Sequence, residues 1–334
     1  IPFRKNLNSG LLLIILIGSL AAAILVRVFL TDTRSLVEMR KRTPVLGTFA
    51  TYIVIDDTQT AGLILASMDS LARHLDNELG VYGSGELSDL NSRGYALIPE
   101  LSSDIRYLLE SSFFISSITD SLFDPAMGLL VELWGFPSDP HLPDSADIES
   151  ALARSGLSNV RISGDTLILS SGTLLDFGAI AKGYAADRIY TLARGMGARA
   201  ALVEIGGEIR CGGDSNTARL WRLAVRNPRG DNIVEMIEIE NGAVATSGDY
   251  ENYFFDDGTR FCHILDPRTG YPETGIASVT VVCANAAFGD ALATAISAGG
   301  IDTAADIPDS LFTLIIVVME DENGEIIEWR RNSI

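Results

Sequence analysis

The chain contains, near its middle, the stretch Leu175-Asp176-Phe177-Gly178-Ala179-Ile180-Ala181-Lys182-Gly183-Tyr184-Ala185-Ala186-Asp187. An acidic residue is expected to end a strand here, and small residues then begin a helix predicted over residues 180–193. A helix N-terminus binds phosphate groups, so Lys182 is a candidate phosphate contact and Asp176 a candidate acceptor for a base or ribose. The same residues also fit an ordinary strand–helix junction with a solvated lysine, and they match neither a dinucleotide-binding glycine motif nor a Walker loop.

A second helix is predicted over residues 289–298, and oxygen-bearing side chains stand near its start. The segment reads Phe288-Gly289-Asp290-Ala291-Leu292-Ala293-Thr294. Because Asp290 and Thr294 are four residues apart, they share one face of the helix. A carboxylate and a hydroxyl are hard ligands that suit Mg²⁺. The alternative is that Asp290 only stabilises the positive end of the helix dipole.

A third polar region follows, with Thr246-Ser247-Gly248 as a predicted turn and then His263-Ile264-Leu265-Asp266-Pro267-Arg268-Thr269-Gly270. His263, close to Asp266 in the chain, is a candidate general base or flavin contact. Equally, the histidine has a structural interpretation, and the segment from Asp266 fits a tight turn between strands. The other histidines, His74 in a predicted helix and His141 in an acidic loop, are interpreted as incidental.

The remaining pattern predicts an α+β fold with mixed, largely antiparallel sheets and flanking helices. Two more helices are predicted over residues 61–79 and 102–118, and residues 137–149 are expected to form an exposed loop entering a short helix. Strands are predicted over residues 45–55, 200–205, 221–225 and 278–283, with short strands within 160–176 around a turn at 163–165. Asn323-Gly324 predicts a hairpin joining strands at 312–319 and 325–329.

Composition limits the classes of function. The 334 residues carry a formal net charge of −19, which disfavours nucleic acid as a partner because both surfaces would be negative. The three cysteines, Cys211, Cys262 and Cys283, form no CxxC pair. We expect them to be small buried residues, a single disulfide remains open, and a thiolate zinc site is not expected.

The first 33 residues predict a membrane anchor. Residues 11–26 are uncharged and apolar, Arg27 interrupts, and residues 28–30 extend the run to nearly the length that crosses a bilayer. Arg4 and Lys5 precede it, as in a signal anchor, and the alternative is a cleaved signal peptide. Arg and Lys residues on both sides weaken the assignment of orientation. Residues 34–334 then form one domain.

Several segments in this order resemble the ApbE family, the FAD:protein FMN transferases, and the resemblance runs from about Val45 to the C-terminus. The segments quoted above around Asp176, Thr246, His263 and Asp290 carry it. The other matching segments are Leu46-Gly47-Thr48-Phe49, Tyr82, Glu86-Leu87-Ser88-Asp89-Leu90-Asn91, Phe123-Asp124-Pro125, Leu133-Trp134-Gly135-Phe136, Gly206-Gly207-Glu208, Pro228 and Asp249-Tyr250.

The resemblance implies an ApbE-like, T-fold-related domain and a set of site residues. Mg²⁺ would be held by Asp290, Thr294 and the backbone oxygen of Ala179. Contacts to FAD would come from Leu46, Tyr82, Asp124, Asp176, Lys182, Thr246, His263 and Ile264. Leu46 stands where the family often has methionine, and Phe49-Ala50 lacks a tryptophan that is common there. Both departures are apolar, so we expect an altered pocket wall.

The implied reaction cleaves FAD, attaches its FMN half to a serine or threonine of a partner flavoprotein and releases AMP, with His263 or Asp266 as base. The partner would carry a D-x-x-(S/T)-G-A-(S/T)-like sequence and belong to a membrane electron-transfer complex. This implies an enzyme anchored by one span in the inner (plasma) membrane, with its catalytic domain outside the cytoplasm. The alternatives are an FAD pyrophosphatase that releases FMN and AMP, a non-catalytic FAD-binding protein, and a structural membrane component.

Overall fold

An antiparallel eight-stranded sheet lies at the centre of the computed structural model, which describes residues 35–136, 138–214, 219–321 and 325–333. From one edge to the other, its strands are β1 (Val37–Val45), β2 (Thr48–Asp56), β6 (Ala200–Ile205), β7 (Glu208–Gly213), β10 (Gly242–Gly248), β13 (Ile276–Cys283), β14 (Leu314–Glu320) and β15 (Ile326–Asn332). Between described residues every strand pairing is antiparallel, so the expected largely antiparallel character is confirmed and no parallel pair accompanies it.

Three small sheets and a set of helices complete the described part of the chain. The small sheets pair β3 (Tyr95–Leu97) and β4 (Val160–Ser163) with β5 (Thr166–Leu169), β8 (Trp221–Arg226) with β9 (Ile233–Ile239), and β11 (Tyr253–Asp256) with β12 (Thr259–Cys262). The helices are α1 (Thr58–Glu78), α2 (Glu86–Arg93), α3 (Ser103–Ile118), α4 (Gly128–Leu133), α5 (Ser145–Leu152), α6 (Ala181–Gly195) and α7 (Ala286–Asp306).

Both faces of the central sheet are covered, which explains the continuous apolar runs in its strands. In β6, Ala201, Val203 and Ile205 point into the main core with α1, α6 and α7, while Ala200 and Leu202 point to the opposite face. On that opposite face, the sheet packs against residues of β8 and β9. The alternation follows from the two-residue period of a strand. The sheet is therefore the middle of three layers.

Helices α6 and α7 approach each other so closely that a side chain at Gly183 would have no room. A Cβ added to Gly183 would lie 2.2 Å from the carbonyl oxygen of Ala286 in α7. α7 begins at the cap residue Asn285, whose side chain accepts from the backbone N–H of Phe288 at 3.0 Å. Small residues thus bring the two candidate helices of the site into direct backbone contact.

Most predicted elements are confirmed with small shifts of their ends. The helices predicted at 61–79, 102–118, 180–193 and 289–298 correspond to α1, α3, α6 and α7, and the loop entering a short helix leads to α5. The strands predicted at 200–205, 221–225 and 278–283 correspond to β6, β8 and β13, and β14 pairs with β15 as expected. Asn323-Gly324 and Pro137 lie outside the described residues. All three cysteines are buried and free.

Three local predictions are wrong. Residues 246–248, predicted to form a turn, lie in β10 and pair with residues 278–280 of β13. The strand predicted at 45–55 is split, because Leu46 and Gly47 adopt φ values of 50° and 68° and form the turn between β1 and β2. Asp176 does not end a strand: β5 ends at Leu169, and the backbone N–H of Asp176 donates to the carbonyl of Pro125 at 2.7 Å. Tertiary packing, not a sheet ladder, fixes this segment.

The predicted anchor, residues 1–33, lies outside the described residues. Over the ranges that the structure describes, none of the helices has the length and apolar character needed to cross a membrane.

Candidate active site at the contact of α6 and α7

The side chain of Asp290 joins the two helices. It is 1% exposed, and its Oδ2 accepts from the backbone N–H of Gly183 in α6 at 3.0 Å. Its Oδ1 lies 3.3 Å from Nζ of Lys182. Asp290 therefore does more than stabilise the dipole of its own helix, because it is the acceptor for the first turn of the neighbouring one.

Lys182 is not the solvated lysine of the alternative interpretation. Its ammonium lies 3.2 Å from Oε1 of Glu208, which is 1% exposed and begins β7. Burial would lower the pKa of Lys182, but Asp290 and Glu208 outweigh it and raise that pKa. At the turn Gly206-Gly207, where both residues have positive φ, a Cβ added to Gly206 would lie 3.4 Å from Cδ of Lys182, so the turn packs against the lysine stem and leads into Glu208. Lys182 is thus held charged and oriented at the site.

Negative charge is in excess around this lysine. Burial and the nearby Asp290 raise the pKa of Glu208 well above its usual range, although Lys182 acts against the shift. Burial also raises the pKa of Glu251, which stands at the exposed edge of the site, and Asp290 contributes in the same direction. Oε2 of Glu208 is buried without a hydrogen-bond partner among the described residues. Three carboxylates around one ammonium form a place where a further cation is electrostatically favourable.

The carbonyl oxygen of Ala179 is left open by the same arrangement. In a regular helix the N–H of Gly183 would donate to the carbonyl four residues earlier, which is Ala179. Here that N–H donates to Asp290, while i→i−4 bonds on either side are kept, from Ala181 to Phe177 at 2.7 Å and from Tyr184 to Ile180 at 2.9 Å. Within the described chain, no backbone hydrogen bond to the Ala179 oxygen replaces it. This oxygen is available to a ligand.

Hydroxyl groups from β10 and α7 lie beside these groups. Oγ1 of Thr294 is 3.4 Å from Oγ of Ser247, and Oγ1 of Thr246 is 2.9 Å from Oγ1 of Thr280 in β13. No group of three or more His, Cys, Asp or Glu side chains in the described ranges has the arrangement of a metal centre. The predicted donors to Mg²⁺ include only one such side chain, that of Asp290, together with the hydroxyl of Thr294 and the backbone oxygen of Ala179.

The loop carrying His263 is anchored to a buried aromatic cluster. The indole nitrogen of Trp134 donates to the carbonyl of Gly270 at 2.9 Å, and the ring of Phe136 lies 6.4 Å from that of His263. Burial lowers the pKa of His263 to about 4, and Lys182 acts in the same direction. The imidazole is therefore neutral at pH 7, and its buried Nδ1 makes no hydrogen bond to a described residue.

Asp266 lies in a tight turn on the same loop. Its buried carboxylate binds the guanidinium of Arg268 through two contacts, 2.9 Å from Nε to Oδ1 and 2.8 Å from Nη2 to Oδ2. The carbonyl of Asp266 accepts from the N–H of Gly270 at 2.8 Å. The turn interpretation of this segment is therefore correct, and the carboxylate is occupied. Ile264, which follows His263 on this loop, is 7% exposed, and its carbonyl accepts from the N–H of Glu273.

The other predicted FAD contacts lie along the loops before α6. Asp124 accepts from the N–H groups of Ala126 and Leu157, each at 2.8 Å, and the next residue, Pro125, binds Asp176 through the backbone. Burial raises the pKa of both Asp124 and Asp176. Tyr82 is 58% exposed; partial burial raises the pKa of its hydroxyl, and the carboxylates of Glu132 and Asp176 contribute in the same direction. The N–H of Leu46 donates to Asp76 at 2.8 Å.

The structure thus brings Lys182 and Asp290 together, with the Ala179 carbonyl at the start of α6 and Thr294 one turn along α7 from Asp290. Thr246 lies in β10 next to Ser247, which contacts Thr294, and its own hydroxyl contacts Thr280. The carboxylate of Asp266 instead binds Arg268 within its own turn. Sequence reasoning did not single out Glu208 or Glu251 as site residues. The segment Gly206-Gly207-Glu208 offered a signal for the first, because paired glycines before an acid mark a close backbone approach, whereas Glu251 has no comparable local signal.

Comparison with known sequences identifies one family. The model of the ApbE family matches residues 46–314. The FAD:protein FMN transferase of Vibrio cholerae serotype O1 is 30% identical over 278 residues, which cover 81% of this chain and 82% of that protein. The FAD:protein FMN transferase of Haemophilus influenzae is 27% identical over 337 residues, which cover 96% of this chain and 95% of that protein.

Solved structures agree with the sequence comparison. The crystal structure of the ApbE protein from Thermotoga maritima matches with a TM-score of 0.80 and 31% identity, covering 87% of this chain and 96% of that one. The flavin transferase ApbE from Vibrio cholerae matches with a TM-score of 0.78 and 27% identity, covering 90% and 98% of the two chains. With a family model spanning most of its length and relatives similar in both sequence and fold, the chain belongs to the ApbE family.

Proposed function

We propose that this chain is an FAD:protein FMN transferase that requires Mg²⁺. The observation that carries the proposal is the α6–α7 contact, where Asp290, Lys182 and the open carbonyl of Ala179 meet in a region of excess negative charge. Relatives that match over most of this chain are FAD:protein FMN transferases, and flavin transferases share its fold. FAD is the substrate, and AMP is the leaving group.

The donors available here fit Mg²⁺. Asp290, the hydroxyl of Thr294 and the backbone oxygen of Ala179 would hold the ion, because Mg²⁺ takes oxygen ligands and keeps several waters. The diverted N–H of Gly183 supports the role of Ala179, since it leaves that carbonyl without its helical partner. When bound, Mg²⁺ supplies charge neutralisation on the pyrophosphate of FAD.

The remaining contacts of FAD are assigned to groups around the helix N-terminus. The ammonium of Lys182 attracts the pyrophosphate, and the N-terminal end of α6 adds its dipole. Asp176 and Asp124 offer carboxylate oxygens to polar edges of the substrate, and Thr246 offers a hydroxyl. Leu46, Tyr82 and Ile264 offer apolar surface for its ring systems.

In the transfer step, the hydroxyl oxygen of a serine or threonine on the acceptor protein attacks the phosphorus of the FMN half. A new P–O bond forms to the acceptor, and the P–O bond to AMP breaks. The hydroxyl proton goes to His263, whose imidazole is neutral at pH 7 because burial lowers its pKa. Lys182 stabilises the negative charge on the pyrophosphate oxygens as the bond breaks.

Of the two base candidates, His263 fits the role better than Asp266. The carboxylate of Asp266 already binds Arg268 at both oxygens, whereas Nδ1 of His263 has no partner among described residues. We assign Asp266 the role of fixing the turn that orients the histidine loop. This leaves one base, His263, and one positioning carboxylate.

We also propose that the apolar N-terminal run tethers the enzyme to the inner (plasma) membrane, with the domain on the extracytoplasmic side and an acceptor in a membrane electron-transfer complex. The 16 uncharged residues from 11 to 26 motivate this. Deleting residues 1–33 should leave the activity of the purified enzyme intact and lower flavinylation of the acceptor in cells. Equal flavinylation by tethered and untethered enzyme would contradict it.

The proposed activity is tested by incubating the full chain with FAD, Mg²⁺ and an acceptor protein bearing a D-x-x-(S/T)-G-A-(S/T)-like sequence. We expect the acceptor to gain the mass of one FMN moiety, and both EDTA and Asp290→Ala to abolish the gain. FMN and AMP formed with an unmodified acceptor would indicate a pyrophosphatase. FAD bound without AMP release would indicate a binding protein.

A further inference from the structure

Asp187, five residues beyond Lys182 in α6, makes a second bond between the two site helices. Its Oδ2 accepts from the backbone N–H of Ala287, in the first turn of α7, at 3.0 Å. The bond runs in the opposite sense to that of Asp290, whose carboxylate accepts from the first turn of α6. Each helix therefore gives a carboxylate to the N-terminus of the other.

Asp187 is also tied to the central sheet. Nε of Arg210, in β7, lies 3.4 Å from its Oδ1. The guanidinium of Arg210 donates to the carbonyl of Gly242, at the start of β10, at 2.8 Å and stacks over the ring of Tyr190 at 4.2 Å. One carboxylate thus links α6, α7 and two sheet strands.

The geometry points to Asp187 as a positioning residue for the proposed metal site: it holds α6 and α7 in the register that keeps Ala179, Asp290 and Thr294 together. Ala287 is three residues before Asp290, so a shift at Ala287 moves that carboxylate along or away from α6. The absence of a side chain at Gly183 permits the close approach, and the bond from Asp187 fixes the axial position within it. The inference rests on the proposed Mg²⁺ site.

Asn285 provides a matched control at the same helix end. Its side chain caps α7 by accepting from the N–H of Phe288 at 3.0 Å, and its Nδ2 donates to the hydroxyl of Tyr107 in α3 at 3.2 Å, so neither bond joins α7 to α6. Asn285→Ala removes a cap of α7 but keeps the link to α6. Asp187→Ala removes an acceptor for the same helix end and cuts the link. Asp187→Asn keeps an acceptor oxygen, since Asn and Asp cap helices equally well.

The test measures binding of Mn²⁺ to the full chain by electron paramagnetic resonance, without FAD or acceptor. Mn²⁺ is chosen because it prefers the same oxygen donors as Mg²⁺. Burial raises the pKa of Asp187 to about 6, so the titration is run at pH 8, where the carboxylate is ionised. Thermal melts of each variant report on general destabilisation.

We expect Asp187→Ala to raise the Kd for Mn²⁺ by at least about tenfold, the lower end of what loss of an orienting partner costs a metal site. Asn285→Ala should stay within about twofold of the wild type despite a similar loss in Tm, and Asp187→Asn should stay within about threefold. If Asp187→Ala and Asn285→Ala weakened Mn²⁺ binding equally, or if Asp187→Ala kept the wild-type Kd, this inference would be overturned while the proposed metal site would stand. Failure of the wild-type chain to bind Mn²⁺, with Asp290→Ala no different, would refute the metal site itself and the inference with it.

Discussion

Replacing Gly183 by alanine tests whether the backbone contact between α6 and α7 sets the geometry of the site. The new Cβ would lie 2.2 Å from the carbonyl oxygen and 2.6 Å from the carbonyl carbon of Ala286. Ordinary contacts begin near 3.4 Å, so the helices must move apart by roughly 1 Å. Asp290, one turn further along α7, moves with Ala286, and its 3.0 Å bond to the N–H of residue 183 is stretched.

The expected loss is larger in activity than in stability. Overpacking costs about 1–3 kcal/mol, and the better helix propensity of alanine offsets about 1 kcal/mol of that, so the variant folds. A displacement of about 1 Å in a positioned catalytic group can cost about 100-fold in rate. We therefore expect kcat/KM for acceptor flavinylation to fall about 100-fold, with a higher Mg²⁺ requirement and a Tm lowered by only a few degrees.

Gly195, at the other end of α6, is the matched control because a Cβ there meets no atom within 4 Å. Gly195→Ala should leave activity unchanged and raise stability by up to about 1 kcal/mol. Flavinylation is followed by the covalent flavin fluorescence of the acceptor in a denaturing gel, and stability by thermal melts. A Gly183→Ala enzyme with kcat/KM within threefold of the wild type and an unchanged Mg²⁺ requirement would refute this reasoning.

Three further outcomes are expected. Replacing His263 by alanine should lower kcat by about 100-fold or more, as expected for loss of a general base. Asp266→Asn should keep at least a tenth of the wild-type activity. The reverse ranking of the two variants in steady-state assays would make Asp266 the base. Lys182→Met leaves Glu208 and Asp290 without their shared cation, so the variant should unfold at a lower urea concentration than the wild type. Added MgCl2 should raise the urea midpoint of the variant by more than that of the wild type, because a bound cation replaces the ammonium. Equal shifts of the midpoint in both proteins would show that no cation replaces it. Because the pKa of His263 is about 4 in the folded chain and near 6.5 when unfolded, the unfolded state binds more protons between these values and stability falls as pH falls through that window. His263→Gln should remove this part of the loss, so its urea midpoint should drop less between pH 7 and pH 5 than that of the wild type, and parallel curves would contradict the assigned pKa.

The sequence is sufficient to predict elements whose local pattern and tertiary environment agree. α1 and α7 are long apolar-patterned helices, and β6 is a continuous apolar run that fits a sheet buried on both faces. β1 was not predicted over most of its length, because Glu38, Arg40 and Arg42 alternate along it and charged residues are typical of an exposed edge strand. In the sequence, such alternating charges fit equally well a loop that follows a membrane anchor.

The site could be predicted only in part, because tertiary contacts define the rest. Helical spacing alone predicts that Asp290 and Thr294 share one face, whereas their role as Mg²⁺ ligands is implied by the family resemblance. The diverted N–H of Gly183 and the pairing of Lys182 with Glu208 depend on residues up to 107 positions apart meeting in the fold. No local rule places Asp187 against the start of α7. Asp176 shows the opposite case, where a pattern typical of a strand end is overridden by the contact with Pro125.

The most direct test of the proposed activity is the ratio of AMP released to FMN covalently bound, measured with the full chain, FAD, Mg²⁺ and the acceptor protein. A transferase predicts one AMP per FMN attached, and an acceptor whose target serine or threonine is replaced by alanine should stop both products together. AMP released in excess of attached FMN, and at the same rate with the alanine acceptor, would mean that water is the true nucleophile and would contradict the account.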